Sequence, residues 1–513
     1  MNRLLSAATL VLAAFAAACA GGGTVNQLPP PPVTGSFSNA SLSGQYAISM
    51  SGRELCFGRG SFFTRAGSFV ADGAGRITSS VEDVNTCTGV LKLTFTGGAY
   101  NIRADGRGTL TLINSTGQTN YSFSLNSTSR GFIIQADPQA TGSGSLQKQD
   151  PTAFSATRLA GPYVFDVNGI TSTRNPESIV GRFFADGVSG LQNVAYDSNI
   201  AGTLSGQKFL ATGGFYTLDP NASQTGRGAI NIAGINYAFY IVDATRINLI
   251  GTGFPEAFLG EAFAQVPGTG FTNVSLSGPY AFLIGGASNT GPVASAGRFT
   301  ADGAGRISGV VADENDTGRL TLLPKGTVTG TYTVDLNGLG GGILSWTDSI
   351  AGTFSFIFYL ASPTQAVFQE TDSKIVSDGL LREQAATITS ATVAGKYAFN
   401  WNGVNLSPNG DELDFAGQLS ISNVSPGVIA GSMDINDFGQ RKQFLDFPIT
   451  GTLTLGLNPA NNNTLQITST PAPQSVYKFA AYVVDANTVL FVGDVDPNSK
   501  PTRVIAGTLT RQP

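Results

Sequence analysis

The sequence predicts an all-β protein of four tandem repeats, each folded as an eight-stranded antiparallel up-and-down barrel. Three observations predict this fold. One segment recurs at a fixed interval, apolar residues alternate with small or polar ones, and glycine-containing turn signals separate the apolar runs. A two-sheet β-sandwich is the alternative for each repeat, because it also contains about eight short strands.

The recurring segment opens each copy with an apolar residue, a small residue, a glycine, a variable residue and a tyrosine. Its glycines are 117 residues apart each time. The four segments are Leu42–Tyr46, Leu159–Tyr163, Leu276–Tyr280 and Val393–Tyr397. The predicted repeats span residues 39–150, 156–266, 273–385 and 390–513. We expect the four tyrosines to plug a barrel end or to pack in the core, rather than to stack on a ligand.

The local periodicity is that of strands joined by tight turns. Tyr46–Ile48 alternates large and small residues, as a half-buried strand does. Signals such as Asp72–Gly75 and Asn337–Gly338 separate such runs, and glycine takes the positive φ that tight hairpins require. Closure of the barrel then needs the first strand of each copy to pair with the last.

Three further elements recur in every copy or in most copies. Aromatic pairs occur late in each copy at Tyr121 and Phe123, Tyr237 and Phe239, Phe354 and Phe356, and Tyr477 and Phe479. A glycine precedes a closing glutamine by five residues, at Gln149, Gln265, Gln384 and Gln512. A Gly-Arg-Phe-Xaa-Ala-Asp-Gly element predicts structural pairing of Arg182 with Asp186 and of Arg298 with Asp302.

Acidic and amide residues cluster once per copy. The clusters are Asp83–Asn85, Asp197–Asn199, Asp313–Asn315 and Asp434–Asn436. We expect turn chemistry, because Asp and Asn bond their own backbone at strand ends. Calcium binding is the alternative, although the full ligand spacing of a calcium loop is absent.

The N-terminus has the features of an export signal. A single positive charge at Arg3 precedes an apolar run over Leu4–Ala18, which is too short to span a membrane. Small residues precede Cys19, and this segment resembles the lipobox of bacterial lipoproteins, although Ala16 stands where that family usually has leucine. The resemblance implies a signal peptide over 1–18 and lipidation of Cys19; an ordinary signal cleavage site is the alternative.

Residues 19–38 are predicted to tether the protein to a membrane. Gly21–Gly23 is flexible, whereas Pro29–Pro32 favours an extended rod. The absence of aspartate at position 20 resembles the pattern that sends lipoproteins to an outer membrane, and this resemblance implies an outer membrane or cell-surface location. As a whole, the chain resembles uncharacterised repeat lipoproteins of soil bacteria, and this resemblance implies no particular activity.

Cysteine usage agrees with export. Without Cys19, the remaining pair is Cys56 and Cys87, which we expect to form a disulfide worth on the order of 3 kcal/mol. A zinc site is the alternative, but the chain has no histidine to complete it.

Each repeat also resembles the calycin barrels, the group of lipocalins and streptavidin, whose first strand begins Gly-Xaa-Trp. Here tyrosine replaces the tryptophan. The basic residue that such barrels place on the last strand corresponds to Lys148, Arg382 and Arg511, whereas the second copy has Ala264 near that position. The resemblance implies barrels that are either filled or able to hold one small ligand.

Composition narrows the function. The chain has 29 Lys and Arg against 34 Asp and Glu, so no basic stripe predicts nucleic-acid binding. The absence of histidine excludes Ser-His-Asp and Cys-His catalysis. We expect no enzyme activity, no cofactor and no metal. The interpretation is a non-catalytic binding or interaction module at the cell envelope, whose candidate partner is a small hydrophobic molecule or an envelope component. A structural spacer with solid barrels is the alternative, and an extracellular hydrolase is the minor one.

Overall fold

The computed structural model describes residues 35–266, 270–406, 410–456, 463–469, 475–493 and 501–513. Four closed barrels follow one another along the chain, and each contains eight antiparallel strands in consecutive order. The predicted barrel is therefore confirmed, and the β-sandwich alternative is wrong.

The strands are numbered in chain order. The first barrel contains β1 (Ser43–Cys56), β2 (Arg59–Asp72), β3 (Ile77–Thr86), β4 (Gly89–Ile102), β5 (Arg107–Asn114), β6 (Gly117–Leu125), β7 (Arg130–Asp137) and β8 (Ala140–Lys148). The second contains β9 (Gly161–Ile170), β10 (Pro176–Ala185), β11 (Gly190–Ile200), β12 (Thr203–Leu218), β13 (Arg227–Ile232), β14 (Ile235–Asp243), β15 (Arg246–Gly251) and β16 (Ala257–Ala264).

The third barrel contains β17 (Ser277–Ser288), β18 (Pro292–Asp302), β19 (Arg306–Asp316), β20 (Arg319–Val334), β21 (Gly341–Asp348), β22 (Gly352–Ser362), β23 (Gln365–Glu370) and β24 (Ile375–Glu383). The fourth contains β25 (Gly395–Asn405), β26 (Glu412–Ile421), β27 (Gly427–Asp437), β28 (Lys442–Thr454), β29 (Asn463–Ser469), β30 (Val476–Val483), β31 (Thr488–Gly493) and β32 (Arg503–Arg511).

Among the residues that the structure describes, helical structure is limited to single turns. The α-helical turns are α1 (Ala222–Thr225) and α2 (Ser390–Val393), and the 3-10 turns are Asn39–Ser41, Pro151–Ala153, Ala156–Leu159 and Asn273–Ser275. Within the described residues, no helix has the length and apolarity needed to cross a membrane.

The repeated tyrosines close one end of each barrel, as predicted. All four are buried, and each hydroxyl donates to a backbone carbonyl in the turn between the sixth and seventh strands. The bonds run from Tyr46 to Thr128, from Tyr163 to Ala244, from Tyr280 to Pro363 and from Tyr397 to Ala486, at 2.6 to 3.2 Å. The tyrosine thus fixes the first strand to a turn far along the chain.

Two basic residues of the last strand lie over these tyrosines. The Lys148 ammonium is 5.9 Å from the Tyr46 ring, and the Arg511 guanidinium is 5.3 Å from the Tyr397 ring. The prediction of Arg382 at this position is wrong. In the third barrel the residue paired with the tyrosine is Glu383, so Arg382 is one residue out of register and lies on the other face of the strand.

Aspartates of the Ala-Asp-Gly turns bond to backbone rather than to arginine. Asp302 accepts from the amides of Ala304 and Arg306 at 2.7 and 2.9 Å, and Asp186 accepts from three turn amides. Arg182 instead donates to the Gln265 side chain at 3.3 Å. The predicted pairing of Arg182 with Asp186 is therefore wrong.

Large apolar side chains fill the barrels. Trp401 stacks on Phe399 with ring centroids 4.6 Å apart, and Trp346 lies 4.5 Å from Phe356. Cavities inside the second and third barrels measure only about 10 Å³ each. Ligand pockets usually measure about 300–1,000 Å³, so neither barrel has room for a small molecule.

A disulfide fastens one end of the first barrel. Cys56, the last residue of β1, is bonded to Cys87 in the turn that joins β3 to β4. The amide of Cys87 also donates to the Glu54 carboxylate at 2.7 Å. The disulfide therefore links β1 to the turn between β3 and β4, two segments that do not pair directly with each other in the barrel.

Consecutive barrels pack side by side, and the fourth barrel packs against the first in the same way. In each contact, the first three strands of one repeat face the last three strands of the next. We call these four contact surfaces joints, and the one between the fourth and first repeats the closure joint. The four barrels therefore form a closed ring.

An asparagine in the third strand of each repeat crosses each joint. Its side-chain amide donates to backbone carbonyls of the next repeat at 2.7 to 3.2 Å. The bonds run from Asn85 to Gly251, Gly253 and Glu256, from Asn199 to Glu370 and Ile375, from Asn315 to Gly493 and Arg503, and from Asn436 to Gln135, Asp137 and Ala140. The expectation of turn chemistry for these clusters is wrong, because the asparagines lie within strands and join barrels.

The closing glutamine of each repeat makes a second set of bonds across the same joints. Its side-chain amide donates to carbonyls of the next repeat at 2.5 to 3.2 Å. The acceptors are Thr225 and Ile241 for Gln149, Leu339 and Leu360 for Gln265, Val483 for Gln384, and Asp105 and Leu125 for Gln512. The ring is thus closed by the same two contacts that join neighbours along the chain.

Two glutamates, Glu314 and Glu370, are buried in the third barrel, and no salt bridge within the described residues includes either one. Burial and the nearby Asp316 together raise the pKa of Glu314 to about 7. Burial and the Glu314 charge also raise the pKa of Glu370 well above its usual range. The folded state therefore binds protons that the unfolded chain releases near pH 4–5.

We predict that the stability of the third barrel falls as pH rises from 5 to 8, because a carboxyl whose folded pKa is raised loses its favourable contribution as pH passes through that pKa. Glu314→Gln should remove much of this fall, on the order of 2–3 kcal/mol. Urea unfolding followed through tryptophan fluorescence at several pH values measures it. Glu383→Gln, at an exposed site, is the control. An identical pH slope in the wild type and Glu314→Gln contradicts the prediction.

Candidate functional site: the cleft at the closure joint

The closure joint lacks the tyrosine that contacts the aspartate of the third strand at the other three joints. An arginine contacts this aspartate both at the closure joint and at the first joint, where Arg227 lies 2.7 Å from Asp83. At three joints the aspartate of the third strand accepts a bond from a tyrosine of the next repeat, at 2.5 to 2.7 Å. The pairs are Asp83 with Tyr240, Asp197 with Tyr359, and Asp313 with Tyr482. At the closure joint Ser124 stands in the place of the tyrosine, and Arg107 lies 3.5 Å from Asp434.

Arg107 is the centre of an ion-pair network at this joint. Its guanidinium lies 2.9 Å from Asp105 and 2.8 Å from Asp446. Burial alone would lower the pKa of Arg107, but Asp105 and Asp434 raise it above its usual value. Arg103 also pairs with Asp446. The arginines of the first repeat therefore hold acidic groups of the fourth.

A bulge in β28 places Asp446 in this network. Met433 pairs with Phe447 and Ile435 pairs with Phe444, so Leu445 and Asp446 together oppose Asp434. Asp446 has a φ of 62°, a left-handed conformation that is strained for a residue with a side chain. The bulge bends β28 at the edge of the joint.

A second buried carboxyl lies deeper in the closure joint. Thr141 donates to Asp414 at 2.6 Å, and burial raises the pKa of Asp414 to about 7. Burial and the neighbouring Asp414 raise the pKa of Glu412 as well. The closure joint therefore combines ionised pairs near its edge with carboxyls that are protonated more easily than usual inside it.

An open cleft of about 520 Å³ lies between the bent hairpin of the fourth repeat and the outer face of the first barrel. Its volume is within the range usual for ligand pockets. The first repeat contributes Thr109, Leu110, Thr111, Asn120, Tyr121, Ser122, Ala136 and Pro138, and the fourth contributes Arg441, Lys442, Gln443 and Leu445. The cleft thus exists only when the ring is closed.

The lining groups suit binding rather than covalent chemistry. Side chains that reach the cleft carry hydroxyls, amides and two cations, and no lining residue is an acid, a cysteine or a histidine. The Tyr121 hydroxyl donates to Glu82 inside the barrel at 3.0 Å, so it does not serve the cleft. In the described part of the chain, no group of three acidic or cysteine residues is placed to hold a metal ion.

The residues predicted to be functional lie elsewhere. Cys19 lies outside the described residues, and the pair of Cys56 and Cys87 forms a disulfide in the first barrel. Of the Asp-Xaa-Asn clusters, the fourth lies at the closure joint, where Asp434 contacts Arg107. Sequence reasoning missed the cleft because its lining combines residues of the first and fourth repeats, which are far apart in sequence and form no motif.

Comparison with solved structures gives distant likenesses, two of which are to transferrin binding protein B. Transferrin binding protein B from serogroup B Neisseria meningitidis is 10% identical with a TM-score of 0.21, over 67% of this chain and 75% of that chain. A mutant of transferrin binding protein B from Haemophilus parasuis Hp5 is 9% identical with a TM-score of 0.19, over 74% and 81%. No family model and no curated protein matches the chain. Similarity this low carries no inference about function.

We predict that Asn436→Ala opens the closure joint. The substitution leaves three carbonyls of the first repeat without their donor, which costs about 1–3 kcal/mol for each buried group left unpaired. Fluorescence energy transfer between dyes on the first and fourth repeats should fall at lower urea concentration than in the wild type. Asn101→Ala, at an exposed asparagine, is the control. Unchanged transfer in Asn436→Ala contradicts the role given to this residue.

Proposed function

We propose that this chain is an extracytoplasmic, lipid-anchored binding protein whose ligand site is the cleft at the closure joint. The ring of four barrels is its scaffold. One observation carries the proposal: a cleft of about 520 Å³ lined by polar and apolar side chains of two repeats, whereas the cavities of the second and third barrels measure only about 10 Å³. It favours binding on the outer surface of the ring rather than inside a barrel.

The features of the closure joint support a functional rather than a purely structural role. A stable joint needs neither the strained φ of Asp446 nor an open cleft, since Asp313 and Tyr482 complete another joint without a bulge opposite the aspartate. Strained residues held by surrounding contacts are typical of functional sites. A spacer made of solid barrels needs no such feature.

The envelope location follows from the N-terminal sequence. The tether over residues 19–38 would leave the ring free to reach a ligand near the membrane surface. We predict that Cys19→Ser moves the protein from the membrane fraction to the soluble extracytoplasmic fraction, because lipid attachment requires the thiol. Fractionation followed by immunoblotting measures it, and Cys56→Ser is the control. A Cys19→Ser protein that stays with the membrane contradicts the anchor.

We predict that Thr111→Trp abolishes ligand binding, because its indole fills the cleft. Native mass spectrometry of protein purified from the cells that make it should show a bound small molecule in the wild type and none in Thr111→Trp. The matched control is Ser345→Trp, since Ser345 occupies the same position in the third repeat. The Ser345→Trp protein should still carry the bound molecule.

Two results would contradict the proposal, and the first of them would favour the spacer interpretation. In the first, the wild-type protein carries no bound molecule. In the second, Thr111→Trp and Ser345→Trp carry it equally, which places the ligand outside the cleft.

A further inference from the structure

We infer that the cleft binds a ligand through an anionic oxygen group, such as a carboxylate or a phosphate on a polar small molecule. This inference rests on the proposed function, because it names the chemistry of the ligand that the cleft takes. It follows from which polar groups at the cleft are already bonded and which are not.

The cations on the fourth-repeat wall have no ionic partner among the described residues. Arg441 and Lys442 are both exposed, and no salt bridge within the described ranges includes either one. The Lys442 ammonium lies 4.6 Å from the centre of the Phe444 ring, which gives it a defined position by a cation–π contact. Two adjacent positive charges therefore border the cleft.

The acids near the cleft are already engaged. Asp137 accepts from the Asn120 amide at 3.0 Å and from Gln135 at 3.0 Å. Asp437 accepts from the Gln440 side chain at 2.7 Å. Asp446 and Asp434 pair with the arginines of the first repeat, where Arg103 and Arg107 hold the pKa of Asp446 below its usual value although burial opposes this. Within the described residues none of these acids forms a salt bridge with Arg441 or Lys442, although Asp437 is the cross-strand partner of Lys442.

The opposite wall adds hydroxyls and few spare acceptors. The Asn120 side-chain oxygen accepts from Thr111 at 3.1 Å and from Gln118 at 2.7 Å. Its amide nitrogen is bonded to Asp137, so Asn120 is largely satisfied. The Thr109 hydroxyl is exposed and can still donate. Donors from both walls exceed acceptors, and a ligand rich in negatively charged oxygen complements such a site.

Calorimetry on the lipidated chain in detergent tests the inference with defined probes. The acidic probes are inorganic phosphate, glucose 6-phosphate and galacturonate, and the neutral counterparts are glucose and galactose. We expect the acidic sugars to bind at least about tenfold more tightly than their neutral counterparts, with an affinity that falls as salt is added. Phosphate and galacturonate as separate probes distinguish a phosphate from a carboxylate source.

The charge variant combines Arg441→Gln with Lys442→Gln. It should lower the affinity for the acidic sugars at least about tenfold. The matched control is Arg306→Gln combined with Lys374→Gln, two exposed residues of the third repeat, and it should bind as the wild type does. Circular dichroism checks that both variants fold.

Each contrary result is distinct. If acidic and neutral sugars bind equally and Thr111→Trp abolishes both, the anionic inference is wrong while the proposed function stands. If the acidic sugars bind but the charge variant binds them as well as the wild type does, the inference is also wrong. Absence of binding by every acidic probe at millimolar concentration overturns the inference, and the molecule retained in native mass spectrometry then decides the proposed function separately.

Discussion

The structure depends on one interaction that is repeated at every joint: a side-chain amide donating to backbone carbonyls of the neighbouring barrel. Asn436 makes this contact at the closure joint as Asn85 does at the first. A carbonyl that is buried between barrels without a donor destabilises the structure. The amide therefore makes the correct arrangement of two barrels more stable than a shifted one. Apolar contacts, such as Val180 near Val367, add stability but little directional specificity.

The sequence predicted what is local to a repeat and missed what lies between repeats. Strand alternation and glycine turns determine a barrel within each copy, and the spacing of Tyr46 and its equivalents determines the number of copies. The same patterns do not predict the contacts between barrels, because the sequence does not distinguish an asparagine in a strand from one in a turn. Recurrence of Asn85 at a fixed register was the available signal. The Arg382 assignment failed for a related reason, since one residue of register reverses the face of a strand.

The candidate site was beyond prediction because it arises where the repeats differ. Ser124 replaces the tyrosine of the other joints, and a bulge in β28 places Asp446 beside Arg107. The effect of these residues can be recognised only once the fourth barrel is known to pack against the first. A cleft between residues such as Thr109 and Lys442 therefore requires the folded ring, whereas each barrel requires only its own copy.

Closure also sets the number of copies. In open repeat arrays each unit contacts only its neighbours along the chain, so duplication or loss of a unit leaves a working protein. Here the last joint is the same kind of contact as the others, and Gln512 reaches Asp105 across 407 residues. A gene that gained or lost one copy would encode a ring of the wrong angle, with two joint faces unable to meet. Unequal recombination, which readily changes the number of tandem repeats, would therefore disrupt the closure joint of this protein.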